Sequence, residues 1–242
     1  MRKTLDLSPN YTKKSRLKSD IKFVIIHYTG MQSEIESLKR LKNKNSKVSC
    51  HYFIGKKGEI IQLVKENKIA WHAGKSKWKG FSNLNKNSIG IELANKGHNF
   101  GYERFPNNQI KSLKLLCIHI KKKYKIQSIN FLGHSDIAPL RKIDPGEKFP
   151  WKNLSNFKIG KWYSLKNTNF PEIDKNNDKE KIRLFFKNLH KIGYRYFNLN
   201  KRGNKDAFII KAFQRRYLPD RISGKIDEIT LKISLILAKN TI

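Results

Sequence analysis

The chain has 242 residues, of which 38% are hydrophobic, so it can bury a core in one large domain or in a large and a small one. Its two cysteines exclude a disulfide framework and a cysteine-based metal motif, and no run of 18 apolar residues predicts a membrane span. The formal net charge of +33 predicts attraction to polyanions: nucleic acid, anionic envelope polymers or acidic peptides.

The basic charge is spread evenly along the chain. The first 177 residues hold 36 basic and 13 acidic residues, and the last 65 hold 16 and 6. Because the net charge per residue is about the same in both parts, no basic domain or tail stands out. We therefore interpret the charge as a generally basic surface and expect no nucleic-acid partner.

The first 20 residues are polar and predict an N-terminal arm over the surface. They lack the apolar core of a secretory signal, so the sequence by itself predicts a cytoplasmic protein. The alternative is a location in the periplasm or cell envelope, reached by unconventional export or after removal of a signal.

Predicted strands and helices then alternate along the chain, which argues for an α/β domain with a largely buried sheet. In order, they are a strand in IKFVIIHYTG, a helix over 34–44, a hairpin over HYFIGKKGEIIQLV, a strand over 88–93, a helix from Asn107 to Tyr124 and a strand over 129–134.

The pattern changes after Trp151. Residues 164–178 are polar and without periodicity, and they predict a linker. Three amphipathic segments follow and predict a small C-terminal three-helix domain within 179–242; they cover 179–192, 206–217 and 227–238.

Two histidines each close an apolar strand at the point where the chain leaves the sheet. His27 ends FVIIH, and His134 ends NFLGH. Ligands of open α/β sheets gather outside strand ends, so these imidazoles are candidate metal ligands. A nearby carboxylate would complete a three-ligand site, and Asp136 and Asp144 are the local candidates. Asp144 lies in a tight Asp-Pro-Gly turn, which can hold its carboxylate rigidly.

A zinc ion held by two histidines and one carboxylate keeps a fourth position for water and can activate it near neutral pH. Structural zinc sites usually close with cysteines, which this region lacks, so the pattern favours a catalytic metal. Each histidine could equally be structural, and spacing alone leaves the two interpretations about even.

Two further residues fit the hydrolysis of an amide. Lys142 lies two residues before Asp144, so in an extended segment both side chains point to the same side. Glu92 lies in the buried strand SIGIEL, facing away from the three apolar residues of that strand. A buried carboxylate is costly unless it is paired or functional, so Glu92 is a candidate general base or acid. Lys142 could be a surface lysine, and Glu92 could pair with a core arginine.

With these residues in place, the chain resembles the zinc-dependent N-acetylmuramoyl-L-alanine amidases of the type 2 family, the AmpD- and AmiD-like enzymes, whose fold is shared with peptidoglycan recognition proteins. The matching stretches span residues 22–151 in the family order; they are FVIIHYTG, VSCHYFIGKKGEIIQLV, IAWHAGKSKWKG, NKNSIGIELAN and FLGHSDIAPLRKIDPGEKFPW.

The resemblance implies a mixed central sheet flanked by helices, a catalytic domain over 21–163 and one zinc per chain. It implies that His27, His134 and Asp144 bind the zinc, and that Glu92 and Lys142 are catalytic. It also implies that the WHAG segment lines the substrate groove, with three substrate contacts: Trp71, His72 and Ala73.

The implied reaction is hydrolysis of the amide between N-acetylmuramic acid and L-alanine, in peptidoglycan or in anhydromuropeptides. Independently of the resemblance, we expect a monomer. Phage relatives carry a catalytic tyrosine where this chain has Cys50, so the acid–base task falls to Glu92. The alternative is a non-catalytic peptidoglycan-binding protein that keeps a structural zinc. The C-terminal part, about 179–240, is similar to the three-helix peptidoglycan-binding module, on a shorter match.

Overall fold

A computed structural model describes residues 3–166 and 178–239. Most of the predicted linker, residues 167–177, lies outside this described part. The fold is α/β, with a mixed central sheet flanked by helices and three further helices at the C-terminus, as predicted from the sequence and the family resemblance. The division into domains stays a prediction.

The described residues form ten strands. They are β1 (Thr4–Leu5), β2 (Tyr11–Thr12), β3 (Phe23–Tyr28), β4 (Tyr52–Ile54), β5 (Ile60–Gln62), β6 (Ile69–Ala70), β7 (Lys77–Trp78), β8 (Phe81–Ser82), β9 (Ser88–Leu93) and β10 (Phe131–Gly133).

Six of these strands make the main sheet, in the order β1-β5-β4-β9-β3-β10. The hairpin strands β4 and β5 are antiparallel, as predicted, and every other neighbouring pair in this sheet is parallel. Two short antiparallel pairs, β2 with β6 and β7 with β8, form separate sheets.

The same described part contains seven α-helices, of which none is long and apolar enough to cross a membrane. They are α1 (Glu34–Lys42), α2 (Asn107–Tyr124), α3 (His134–Ile137), α4 (Trp151–Ser155), α5 (Asp178–Ile192), α6 (Asp206–Tyr217) and α7 (Glu228–Lys239). Three short 3-10 helices cover Lys18–Asp20, Lys44–Ser46 and Ser128–Asn130.

The long predicted helices form within a residue or two of their predicted bounds. Helix α1 begins after Ser33, whose hydroxyl accepts a hydrogen bond from the Glu36 N–H and so satisfies one free donor of the first turn. The short helices α3 and α4 were not predicted. His134 is consequently the first residue of α3 and not the last residue of β10.

Most of the described residues up to residue 20 are exposed, and particular contacts tie this segment to the sheet. Strand β1 pairs with β5 and extends the edge of the sheet. Arg16 is buried. Its guanidinium donates to surrounding backbone carbonyl groups, which are those of Glu66, Asn85, Lys86 and Ser88. A guanidinium offers five donors and can be buried only where acceptors meet them. Here backbone carbonyl groups accept from Nε and one terminal nitrogen, and the other terminal nitrogen lies against His51.

The two faces of the sheet bury different clusters of side chains. In β3, Val24 and Ile26 join the cluster beneath α2, whereas Phe23 and Ile25 join the cluster that contains the C-terminal helices. Successive side chains of a strand alternate between faces, so His27 follows Phe23 and Ile25. At the end of β3 it therefore faces the same side as the C-terminal helices.

The C-terminal helices share their core with this second face of the sheet. Apolar residues of α5, α6 and α7 form one continuous cluster with residues of β3 and β10; among them are Phe185, Phe186, Leu189, Phe213 and Leu237. Burial of large aromatic side chains against the sheet removes apolar surface from water and stabilises the arrangement.

A buried ion pair joins α6 to the segment that carries His134. The guanidinium of Arg216 donates to Oδ2 of Asp136 in α3 and, over 3.0 Å, to the carbonyl oxygen of Phe131. The Tyr194 hydroxyl donates to Oδ1 of Asp136 over 2.7 Å, and the Gly133 N–H donates to Oδ2 over 2.8 Å. The Asp136 carboxylate is thus fully engaged in packing the C-terminal helices.

We expect Arg216→Met to reduce the free energy of unfolding by about 3–5 kcal/mol, because the buried Asp136 carboxylate loses its counter-charge. Urea unfolding of the purified chain measures this loss. The matched control is Arg221→Met, which breaks an exposed pair with Asp227 and is expected to cost less than about 1 kcal/mol. Equal losses in the two variants would contradict the structural importance of the buried pair.

Candidate metal centre and active site

Three side chains converge at one edge of the sheet, and each presents one ligand atom. Nδ1 of His27 lies 3.0 Å from Nδ1 of His134 and 3.1 Å from Oδ2 of Asp144. The third side of this triangle, from Nδ1 of His134 to Oδ2 of Asp144, is 3.1 Å. All three residues are buried, and they form the one group of this kind found in the described residues.

Local structure explains how these residues meet. His27 lies near the carboxyl end of β3, and Gly133 at the end of β10 pairs in parallel register with Ile26. The next residue, His134, therefore emerges beside His27. The turn containing Asp144 is held against α3 because the Ser135 N–H donates to the Asp144 carbonyl oxygen over 2.9 Å.

Of the two carboxylates that the sequence offered as a third ligand, the structure brings Asp144 to the histidines. Asp136 is two residues from His134 in sequence, but its carboxylate is taken up by Arg216 and Tyr194. Sequence distance could not separate the two candidates, because the choice depends on a partner 80 residues away.

The protonation states of this group suit metal binding. Burial, the neighbouring His134 and Lys142 lower the pKa of His27 to about 4. Burial by itself would raise the pKa of Asp144, but the neighbouring His134 and His27 hold it well below its usual range. The site thus favours a neutral imidazole at His27 and an ionised carboxylate, which are the forms that bind a metal.

The arrangement fits a divalent metal ion. Bonds of about 2.0–2.2 Å in a tetrahedral site separate the ligand atoms by roughly 3.3–3.6 Å, and the triangle of 3.0–3.1 Å is within a few tenths of an ångström of that size. Two imidazole nitrogens and one carboxylate oxygen also form a donor set that is common at catalytic metal sites.

Glu92 lies directly beside His27, because the two residues are partners in the parallel register of β9 and β3. Among the described residues, no hydrogen-bond partner reaches its buried Oε2 atom. Burial and the nearby Asp144 raise the pKa of Glu92 to about 8, although Lys142 opposes the shift. A carboxyl group with such a pKa can take up and release a proton near neutral pH.

A cavity of about 590 Å³ opens over these residues. Glu92 and Lys142 line it together with the three candidate ligands, so the structure brings all five predicted metal and catalytic residues to one cavity. Of the three expected substrate contacts, Trp71 and His72 line the cavity, whereas the side chain of Ala73 lies in the hydrophobic core.

Cys50, which stands where phage relatives carry the catalytic tyrosine, is fully buried. Burial together with the charge of Glu92 raises the pKa of its thiol. His51, predicted as structural, is buried too: its Nδ1 accepts from the Gly90 N–H over 3.0 Å, and its Nε2 lies 2.8 Å from the guanidinium of Arg16. Neither residue lines the cavity.

Three residues contact the candidate ligands or their partners in ways that the sequence did not predict, although two of them were expected to touch substrate. Nε2 of His27 lies 3.0 Å from Nδ1 of His72, and Nε2 of His134 lies 3.1 Å from the Ala73 carbonyl oxygen. Arg141 also donates to that carbonyl. The signal available in the sequence was the compact WHAG segment, but its direction relative to the histidines is a tertiary property.

The chain matches known proteins over this region. The model of the N-acetylmuramoyl-L-alanine amidase family (Amidase_2) matches residues 17–147. N-acetylmuramoyl-L-alanine amidase AmiD of Escherichia coli K12 is 41% identical in an alignment over 162 residues that covers 62% of this chain and 58% of AmiD. The 1,6-anhydro-N-acetylmuramyl-L-alanine amidase AmpD of Haemophilus influenzae is 35% identical over 170 residues, covering 62% of this chain and 90% of AmpD.

Solved structures agree over nearly the whole chain. E. coli AmiD, in complex with the substrate anhydro-N-acetylmuramic acid-L-Ala-D-γ-Glu-L-Lys, has a TM-score of 0.78 at 32% identity, covering 94% of this chain and 91% of that chain. AmpDh3 of Pseudomonas aeruginosa, in complex with anhydromuramic pentapeptide, has a TM-score of 0.77 at 28% identity, covering 96% of both chains.

The family match covers more than half of the chain and contains all five residues that meet in the cavity. The fold agrees with structures of family members from the sheet to the C-terminal helices. The chain belongs to the N-acetylmuramoyl-L-alanine amidase family.

Proposed function

We propose that this protein is a zinc-dependent hydrolase that cleaves the amide bond between N-acetylmuramic acid and L-alanine in peptidoglycan or anhydromuropeptides. The observation that carries the proposal is the triangle of ligand atoms from His27, His134 and Asp144, with Glu92 beside it in an open cavity. The names of the relatives and the muropeptides bound to AmiD and AmpDh3 support this reaction and substrate class.

The donor set supports zinc as the metal, held by His27, His134 and Asp144, because zinc combines readily with two imidazoles and one carboxylate in a four-coordinate site. When bound there, the ion makes water more acidic and polarises a substrate carbonyl. The absence of cysteine from the described cluster favours this catalytic role over a structural one.

Glu92 is suited to carry the proton in both halves of the reaction. Its carboxylate takes a proton from the attacking water and delivers it to the nitrogen of the leaving L-alanine amine. Two features support this role: the Oε2 atom, without a hydrogen-bond partner among the described residues, is available to a reactant, and a pKa near 8 makes proton uptake and release comparable in cost.

Lys142 is suited to stabilise the negative oxygen that develops on the attacked carbonyl. Its side chain lines the same cavity, and a preorganised positive charge acts strongly where water is scarce. Trp71 forms another part of the wall, with its indole N–H held by the Thr12 hydroxyl over 3.1 Å. The cationic residues along the cavity, Arg40, Arg141 and Lys142, suit the carboxylates of a stem peptide.

The direct test is digestion of anhydromuropeptides and of whole sacculi, followed by mass spectrometry of the products. The zinc-loaded wild type is expected to release L-Ala-peptides. Glu92→Gln is expected to slow release by about 10²–10⁴-fold, because general acid–base catalysis is lost. His119→Ala, a change at an exposed histidine of α2, is the matched control and is expected to retain the wild-type rate.

Undiminished release by Glu92→Gln would reject the proposed role of that residue. Tight binding of muropeptide by the zinc-loaded wild type without cleavage would instead favour a peptidoglycan-binding protein with a structural zinc. Separate rates on the two substrates tell which of them the enzyme prefers.

The number of metal ions tests the cofactor. After loading with zinc and dialysis, we expect one zinc per wild-type chain by elemental analysis. His27→Ala and Asp144→Ala remove one of three ligands each, so both are expected to bind far less than one equivalent. The His119→Ala control is expected to bind one, and full occupancy in the ligand variants would contradict the assigned site.

The raised pKa of Glu92 predicts a pH-dependent effect on the stability of the metal-free protein. The folded-state pKa of Glu92 is about 8, above the usual value of 4.5. The contribution of protonated Glu92 to the free energy of unfolding is therefore fully present below about pH 4.5 and is lost as the pH rises through about 8. Glu92→Gln cannot ionise, and we therefore expect its Tm to exceed that of the wild type by several degrees at pH 9 and by little at pH 5.

Thermal unfolding in a chelator at both pH values measures this difference. Glu36→Gln, at an exposed position of α1, is the control and is expected to show no such gain at pH 9. If the difference in Tm between Glu92→Gln and the wild type were the same at pH 9 as at pH 5, ionisation of Glu92 would not destabilise the folded protein, and the prediction would be wrong.

A further inference from the structure

We propose that the dipeptide His72–Ala73 is the positioning element of the metal centre. The His72 ring accepts a hydrogen bond from Nε2–H of His27, and the Ala73 carbonyl group accepts one from Nε2–H of His134. Together they fix Nδ1 of each ligand histidine as the metal-binding atom. The inference rests on the metal site of the proposed function. It gives His72 and Ala73 a role other than the substrate contacts that the family resemblance implies.

The hydrogen bonds that reach His27 have a fixed direction. The Ser88 hydroxyl lies 2.6 Å from the Leu84 carbonyl oxygen, which can only accept, so the single hydroxyl proton points there. Ser88 Oγ must then accept from Nε2–H of His72, over 3.2 Å. With its proton on Nε2, the His72 ring has a free lone pair on Nδ1, which accepts from His27.

The His27 ring completes this chain. Its Nε2 lies 3.0 Å from Nδ1 of His72 and therefore donates the proton. The other nitrogen of His27, Nδ1, is left without a proton and faces His134 and Asp144. The Leu84 carbonyl group, acting through the side chains of Ser88 and His72, thus determines which nitrogen of His27 is the ligand.

The second ligand histidine is fixed by the adjacent carbonyl group. Nε2 of His134 lies 3.1 Å from the oxygen of Ala73, a pure acceptor, so this nitrogen also carries the proton and Nδ1 is free. Arg141 donates to the same oxygen, and the two donors lie 3.3 Å apart as they share its lone pairs. The Ala73 carbonyl is therefore held in place while it holds His134.

The dipeptide itself is held on both sides. Oδ1 of Asn85 accepts from the backbone N–H groups of His72, over 3.0 Å, and Ala73, over 2.7 Å. The His72 ring packs onto β9 at Gly90, where a Cβ atom would lie 2.4 Å from the ring. Only glycine at this position leaves space for the imidazole between the strand and His27. His72 as a whole is 9% exposed, as expected for a residue that acts through another side chain.

The test measures zinc affinity without substrate, by competition with a chromophoric chelator. His72→Leu keeps the approximate volume but removes the acceptor, and we expect its zinc dissociation constant to rise by about 10–100-fold. His72→Asn places an amide oxygen near the position of Nδ1, and we expect it to restore most of the affinity. The visible spectrum of the Co²⁺-loaded variants reports the change in ligand geometry independently of activity.

Two further variants keep the test decisive. Ser88→Ala removes only the hydroxyl that accepts from His72, and it is a small substitution in β9. We expect it to raise the zinc dissociation constant by less than His72→Leu does. His119→Leu repeats the substitution on an exposed histidine of α2 and is expected to change nothing. Far-UV circular dichroism and Tm of the metal-free variants verify that each is folded.

The outcomes separate this inference from the proposed function. A wild-type dissociation constant in both His72→Leu and Ser88→Ala would overturn the positioning role while leaving the metal centre intact. A raised KM in His72→Leu at unchanged zinc affinity would instead identify His72 as a substrate contact. Failure of the wild type to bind zinc at all would overturn the metal centre and, with it, the positioning role.

Discussion

The site depends on the parallel pairing of β3 with β9 and β10. Parallel strands present their carboxyl ends at the same edge of a sheet, so residues 27, 92 and 134 meet although they are far apart in sequence. The register is equally important, because side chains alternate between faces. A shift of β9 by one residue would turn Glu92 away from His27 and expose an apolar side chain in its place.

At this edge of the sheet, the pKa values of two carboxyl groups are shifted in opposite directions: that of Asp144 is lowered and that of Glu92 is raised. Nδ1 of His27 and of His134 both lie 3.1 Å from Oδ2 of Asp144, and these neighbours hold the pKa of Asp144 low despite its burial, which suits a ligand. In the part of the chain that the structure describes, no such partner reaches the buried Oε2 atom of Glu92, and the pKa of Glu92 is raised to about 8, which suits the proposed proton carrier. Two acids separated in this way by their surroundings are typical of active sites. Stability is lowered at Glu92, and the large cores on both faces of the sheet offset that loss.

The segment that carries His134 is supported from two directions. On one side, the Ala73 carbonyl accepts from its ring. On the other, Asp136 binds Arg216 and Tyr194 and so ties the segment to the C-terminal helices. These helices share a continuous core with the sheet, and through Asp136 they contact the short helix α3 that begins with His134.

Much of this molecule follows from its sequence. The alternation of apolar residues determines the strands and long helices, because local periodicity decides which face of an element is buried. The family motifs indicated the five cavity residues, since their order and spacing survive in the chain. Spacing alone left Asp136 and Asp144 open and the family resemblance favoured Asp144; the tertiary structure explains the choice, because Tyr194 and Arg216 engage Asp136. Only the tertiary structure buried the Arg16 side chain and placed His72 beside His27. Each of these outcomes depends on partners distant in sequence, and hydrogen bonds between distant segments leave no periodic signal in the chain itself.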